Sequence, residues 1–232
     1  MSFRSSAFLW AVAALFTSGC ATTKVQSPVS FAPAALKSNN QRVGVAMTAL
    51  PKAEVHVNGN ICLLCIVTAN AANSTLNKHA ATLALEDLPS LKDKAAAALR
   101  QKGINAVVID EPLDIKTLPD TSSGTRNVAS KDFTPLKQKY GVDSLLVLEV
   151  HSLGFVRNYS GYIATTDPRA LVRGTGYMVN LSTNTYEWYL PVYVTKNADG
   201  KWDEPTAFPG LTNAYYQALE VGKDNFLRPL TN

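Results

Sequence analysis

From Arg42 onwards the apolar positions follow two rhythms. Arg42 to Thr48 (RVGVAMT) and Ala53 to Asn58 (AEVHVN) run apolar or alternate with period two, as strands do. Ile61 to Thr68 (ICLLCIVT) is a continuous apolar run, which fits a strand buried on both faces or the start of a buried helix. The Ala-rich stretches Ala71 to Leu85 and Leu88 to Lys102 predict helices, the second stopped by Gly103. Asn105 to Asp110 (NAVVID) follows as a short strand, completing an αβ step.

The step then repeats. A polar loop from Glu111 to Ser130 leads to a helix over Phe133 to Tyr140, closed by Gly141, and Ser144 to Val150 (SLLVLEV) predicts a central strand. Beyond it, Leu153 to Thr165, Ala170 to Leu181 and Thr185 to Thr195 predict three antiparallel strands, the last two joined through Ser182, Thr183 and Asn184. A final helix from about Leu211 to Phe226 would set Leu211, Tyr215, Leu219 and Phe226 on one stripe against the sheet. The expected class is α/β: a mixed sheet with helices packed on it, antiparallel C-terminal strands and a C-terminal helix. It forms one domain over residues 42–232.

The first 41 residues follow neither rhythm. Met1 and Arg4 give a cationic start, Ala7 to Phe16 is apolar, and the small residues Thr17, Ser18 and Gly19 stand directly before Cys20. That is the layout of an export signal over residues 1–19. Its apolar stretch is too short to span a bilayer core, which needs about 20 residues. The ending Thr17-Ser18-Gly19-Cys20 resembles the bacterial lipobox, in which a small residue precedes a cysteine that is cut free and lipidated. The usual aliphatic residue is replaced here by Thr17. The resemblance implies a lipoprotein precursor, with acyl chains on Cys20 as a stable anchor. A conventional signal peptide would instead leave Cys20 as an exposed reactive thiol.

Ala21, where family members retained at the inner membrane carry Asp, implies the outer membrane of a Gram-negative cell, facing the periplasm. Residues 20–41, with two prolines and many small polar residues, are expected to be a lipidated, flexible tether.

Apolar residues make up 46% of the chain, so most of it should fold. Lys and Arg number 22 against 18 Asp and Glu, a net charge of +4, and no basic cluster appears. Nucleic acid is therefore not an expected partner.

Tyr140-Gly141-Val142-Asp143 leading into an apolar strand, and the hairpin Val179-Asn180-Leu181-Ser182-Thr183-Asn184-Thr185-Tyr186-Glu187-Trp188, resemble the periplasmic α/β domains of outer-membrane assembly lipoproteins. These include the curli-export lipoprotein and the N-terminal domain of the Tol system. The resemblance covers about half of the mature chain and implies binding or assembly surfaces, with no catalytic signature.

Cys62 and Cys65 form the one local motif with reactive potential. Redox chemistry with C-x-x-C needs an exposed sulfur at a helix N-terminus or beside a cation. The apolar neighbours here instead point to burial, so a structural disulfide or two buried thiols are preferred over a redox or metal role. Zinc would need two further ligands, and His79 has no second histidine three to five residues on; His56 and His151 stand alone on strands.

No G-x-S-x-G, H-E-x-x-H or Walker loop occurs. Gly174-Thr175-Gly176 reads as a bulge or a close approach of backbones, and Asp110, Glu111 and Asp114 as a solvated acidic loop. Tyr177, Tyr186, Trp188 and Tyr193, with Tyr159 and Tyr162, are a candidate binding face for a partner, peptide or glycan. The competing expectation is that the same rings pack under the last helix.

The function expected is that of a non-enzymatic, membrane-tethered lipoprotein supporting envelope assembly or transport through a protein partner or its own oligomer, with no metal or cofactor. The alternative is a ligand-binding or thiol-redox lipoprotein acting through the Cys62/Cys65 region.

Overall fold

The run SLLVLEV is the start of the longest strand in the sheet. In the computed structural model, which describes residues 25–38, 40–60, 62–121, 125–204 and 207–232, it opens β4, Ser144–Ser160. On one side lie β1 (Arg42–Met47) and β2 (Ala53–Asn60), both parallel to it: β1 pairs with Ser144 to Leu148 and β2 with Leu153 to Ser160. Outside β1 lies the parallel β3, Asn105–Val108.

On the other side the sheet turns antiparallel, with the two-residue β5 (Ile163–Ala164) on the end of β4, then β6 (Arg169–Asn180) and β7 (Thr185–Asn197). The result is a seven-stranded mixed sheet with main order β3-β1-β4-β6-β7. The α/β class is as expected.

Alternation along β4 supplies a core on each face. Leu146, Leu148, Leu153 and Phe155 face α4 (Leu91–Gln101) and α6 (Pro209–Thr231), where Leu211, Tyr215, Leu219 and Phe226 of the predicted stripe are all buried. Leu145 and Val147 face the opposite way, under α5 (Pro135–Tyr140) and the loop before it, against Phe133, Leu136, Tyr177 and Val179. Burial on both faces is why the run shows no polar alternation.

Gly174 and Gly176 give α6 and Trp188 a flat surface. A Cβ on Gly174 would stand 2.4 Å from Glu149 O, and one on Gly176 would stand 2.5 Å from Trp188 Cη2. At Gly174 this is the close approach of backbones expected there, whereas at Gly176 the near neighbour is a side chain.

Several expectations differ from what is found. Val150 and Leu153 do not end and begin separate strands, because a bulge between Val150 and Ser152 absorbs one residue and β4 continues. The helix expected over Ala71 to Leu85 is two short ones, α2 (Leu63–Ala72) and α3 (Ser74–Ala80), and Leu63 to Thr68 of the apolar run belong to the first. Described residues of the expected tether are folded onto the domain: Val29 bridges Tyr189, Phe31 meets Trp188 edge-on at 6.2 Å, and α1 (Pro33–Ser38) buries Leu36. Sparse apolar residues are enough when each finds a preformed hollow. Another difference concerns the aromatic face and is described with the site. Residues 1–19, Cys20 and the tether up to residue 24 lie outside the described residues.

One polar contact clamps α6 to the turn before α4. Lys223, buried on α6, and Lys94 on α4 both hold the carboxylate of Asp87. Hydrogen bonds from Lys223, then Lys94, lower the Asp87 pKa to about 2, from an ordinary value of 3.8. The folded-state pKa is depressed, so this contribution is complete above about pH 4 and is lost as pH falls toward 2. The Tm difference between the protein and Asp87→Asn should accordingly be present at pH 6, shrink below pH 4 and vanish as pH falls through 2. A constant difference across that range would show that the carboxylate's charge does not matter.

Candidate functional site

The end of the sheet where β2, β4 and β5 finish carries the chain's unusual surface. Gly59, at φ +117°, takes β2 past Tyr159 with no room for a side chain, since a Cβ would lie 2.1 Å from the Tyr159 carbonyl oxygen. Cys62 then adopts an extended conformation and caps α2: its Sγ accepts from the Cys65 N–H at 3.1 Å, and the Ile66 N–H donates to the Cys62 carbonyl at 3.0 Å. The two sulfurs are at bonding distance, with Cα atoms 4.9 Å apart.

The burial expected of this segment is not found. Cys62 is exposed, while Cys65, one helical turn on, is 7% exposed. Leu63, Leu64 and Val67 are exposed by 81%, 78% and 63%, and only Cys65 and Ala69 of α2 pack inward. The pairing of Asn60 with Ser160, and of Ser160 with Ile163, puts the β4–β5 hairpin tip at the same end, where Tyr162 and Ile163 are also exposed, by 72% and 62%.

No Asp, Glu, Lys or Arg occurs from Val55 through Asn77. An apolar tip depleted of charge has the composition of an interface centre rather than of ordinary surface.

The far end of α2 is firmly seated. Asn73 is buried and donates to Ala69 O at 2.8 Å and Tyr159 Oη at 2.7 Å, while its own oxygen accepts from Arg157 Nη1 at 3.2 Å. The Arg157 guanidinium in turn lies 4.8 Å over the Trp202 ring. Between β2 and the helices a groove of about 410 Å³ is lined by His56, Val57, Ile66, Asn70 and Asn77, and Asn77 Oδ1 accepts the Val55 N–H at 2.9 Å. The tip is therefore an exposed head on an anchored base.

The disulfide joins residues of one helical turn and ties no two elements together. Closing so short a loop is worth roughly 2 kcal/mol by chain entropy, less than half of what a 100-residue loop gains. Its placement is weakly explained by stability alone.

Other candidates resolve into structure. Tyr177, Tyr186 and Tyr189 cluster on the face under α5, with ring centroids 5.0–6.3 Å apart, and burial raises the Tyr177 hydroxyl pKa well above its usual value. Trp188 points to the opposite face and is buried under α6, and only Tyr193 is exposed, by 59%. The four residues Tyr177, Tyr186, Trp188 and Tyr193 thus do not share one face, because the bulge between Met178 and Val179 separates Trp188 from its tyrosine neighbours. Tyr159 is buried as well, whereas Tyr162 belongs to the exposed tip.

His56 Nε2 lies 3.0 Å from Leu153 O, His79 Nε2 lies 2.8 Å from Thr212 Oγ1 with its pKa lowered by burial, and His151 Nε2 lies 2.9 Å from Thr175 Oγ1. Among the described residues no three His, Cys, Asp or Glu side chains converge as metal ligands would. Glu111 pairs with Lys139 and Tyr140, Asp114 caps a turn at Lys116, and Asp110 accepts Lys92 on its carbonyl, so the acidic loop is held by local contacts.

Among the described residues no helix is long and apolar enough to cross a membrane. No protein-family model matches the chain. No curated protein is similar to it in sequence. Solved structures with a similar course include the PelC dodecamer from Paraburkholderia phytofirmans, at 12% identity over 89% of this chain and 96% of that one, TM-score 0.32. A lipoprotein from Neisseria meningitidis matches at 12% identity over 69% and 86%, TM-score 0.25. The LpoB C-terminal domain from Salmonella enterica matches at 15% over 68% and 84%, TM-score 0.21. At these values the likeness carries no argument about function.

Proposed function

We propose that this protein is a lipid-anchored envelope lipoprotein, held to a membrane through Cys20, which supports assembly or transport by binding another protein, or further copies of itself, at the apolar tip. The observation that carries the reading is the exposure of Leu63, Leu64, Val67, Tyr162 and Ile163 at one end of the sheet, beside a run from Val55 to Asn77 that carries no Asp, Glu, Lys or Arg. Isolated exposed apolar residues are ordinary, but five large ones at one end of a sheet mark an interaction surface. A membrane surface is less well matched, because interfacial helices of that kind set Lys and Arg beside their apolar face, and α2 has neither. Lipidation of Cys20 rests on the lipobox and the outer-membrane location on Ala21 in the sequence.

The test is photo-crosslinking in intact cells from position 64, with position 139 on α5 as the exposed control. Discrete protein adducts are expected from position 64 and not from 139. Leu64→Glu should weaken the association seen for the detergent-extracted protein by at least tenfold, about 1.4 kcal/mol, while leaving its circular dichroism unchanged. Equal adducts from both positions, or association indifferent to Leu64→Glu, would remove the tip from the reading.

A further inference from the structure

The geometry points to Cys62 and Cys65 as a thiol–disulfide exchange pair, with Cys62 the sulfur that is attacked and Cys65 the one that leaves and resolves. Three observations carry this. Access is divided as exchange requires, with Cys62 exposed at the head of the helix and Cys65 buried behind it. The surroundings favour negative charge on a released Cys62 sulfur: it caps the ten-residue α2, the Cys65 N–H already points at it from 3.1 Å, and the run from Val55 to Asn77 contains no acidic residue to oppose that charge. Stabilising the reduced form in this way makes the disulfide a better oxidant. Finally, Leu63 and Leu64, the two residues between the sulfurs, are among the most exposed leucines of the molecule, so an approaching chain meets an apolar surface at the bond itself.

The substrate class is a protein or peptide carrying two cysteine thiols. One substrate thiolate attacks Cys62 Sγ; the Cys62–Cys65 bond breaks, and its electron pair leaves on the Cys65 sulfur, which takes up a proton. The second substrate thiolate then attacks the substrate sulfur of the mixed disulfide, forming the substrate's own disulfide and releasing Cys62 as a thiolate. The substrate gives up two electrons, which the cysteine pair receives; of the two protons lost as its thiols ionise, one ends on Cys65 and the other in solvent while Cys62 remains a thiolate. A small-molecule or protein disulfide restores the pair by the reverse exchange.

Only the choice of substrate rests on the tip as a contact surface. The exchange itself can be measured without a partner, so the two readings fail separately.

The full chain is equilibrated in buffers of glutathione and glutathione disulfide, free thiols are trapped by alkylation, and the tryptic peptide spanning residues 53–78 is weighed, which keeps Cys20 out of the readout. The pair is expected to pass from oxidised to reduced within the range that glutathione spans. With glutathione disulfide, Cys65→Ser should form a mixed disulfide at Cys62 at least about tenfold faster than Cys62→Ser forms one at Cys65. A pair that stays fully oxidised across the whole range, or variants that react at equal rates, would overturn the proposal and leave a structural staple. Should Cys65→Ser fail to fold, the titration of the unaltered protein decides.

Discussion

Trp188→Ala should destabilise the domain by about 3–5 kcal/mol, read as a lower urea midpoint at 25 °C with an unchanged slope. Trp188 is 2% exposed and lies between Gly176 of β6 and Phe31 of the N-terminal lead. Removing the indole forfeits its contacts and leaves a hollow that the surroundings cannot fill, because the sheet beneath is fixed by hydrogen bonds on both edges of β6. The lead should respond too. Phe31 would lose its ring partner, and the lead would lean more on the bridge from Val29 to Tyr189 and the Gln26 hydrogen bond to Asn127. Limited proteolysis near residues 25–38 should therefore accelerate in the variant while cleavage elsewhere does not. A loss below about 1 kcal/mol would mean that α6 and the lead collapse into the space, and that their packing on β7 is less fixed than it looks.

Gly174→Val should be at least as damaging, costing about 3 kcal/mol or more, or abolishing soluble protein. Small-to-large changes are tolerated where the neighbour is the end of a flexible side chain, but here the neighbours are the Glu149 carbonyl oxygen at 2.4 Å and Phe226 Cζ at 2.7 Å. The carbonyl belongs to β4 at the centre of the sheet, and Phe226 is fully buried on the sheet-facing side of α6. Gly44→Ala is the comparison. Its Cβ would meet Leu145 Cδ1 at 2.9 Å and Val142 Cγ2 at 3.2 Å, side-chain atoms that can shift, so the cost should be clearly smaller. Comparable losses for the two would show that close helix–sheet approach at Gly174 is not what demands glycine.

Both tests probe a frame that was largely legible in the sequence. Period-two alternation, the Gly103 and Gly141 stops and the stripe from Leu211 to Phe226 are local signals, each set by backbone sterics or by one buried face, and the α/β order follows from their succession. The C-x-x-C motif and the close approach at Gly174 were visible for the same reason. They depend on residue identity at short spacing.

Tertiary structure alone decided what each apolar run would meet. ICLLCIVT and SLLVLEV are alike in composition, yet the second is sealed between two layers while the first ends as a helix with its leucines in solvent. Hydrophobicity records what a side chain gains by leaving water, and whether another element covers it depends on residues far away in the chain. The charge-free stretch from Val55 to Asn77 was equally ambiguous, since a core strand and an interaction surface both exclude charge.

The aromatic residues followed the same rule. A one-residue bulge at Met178 and Val179 sent Trp188 to one face and Tyr186 to the other, and pairing register is set by the partner strand. Sequence by itself thus determined most of the elements and the C-x-x-C spacing of Cys62 and Cys65. Only the fold decided that Cys62 stands in solvent at the head of a helix, because exposure is a property of neighbours that are distant in sequence and adjacent in space.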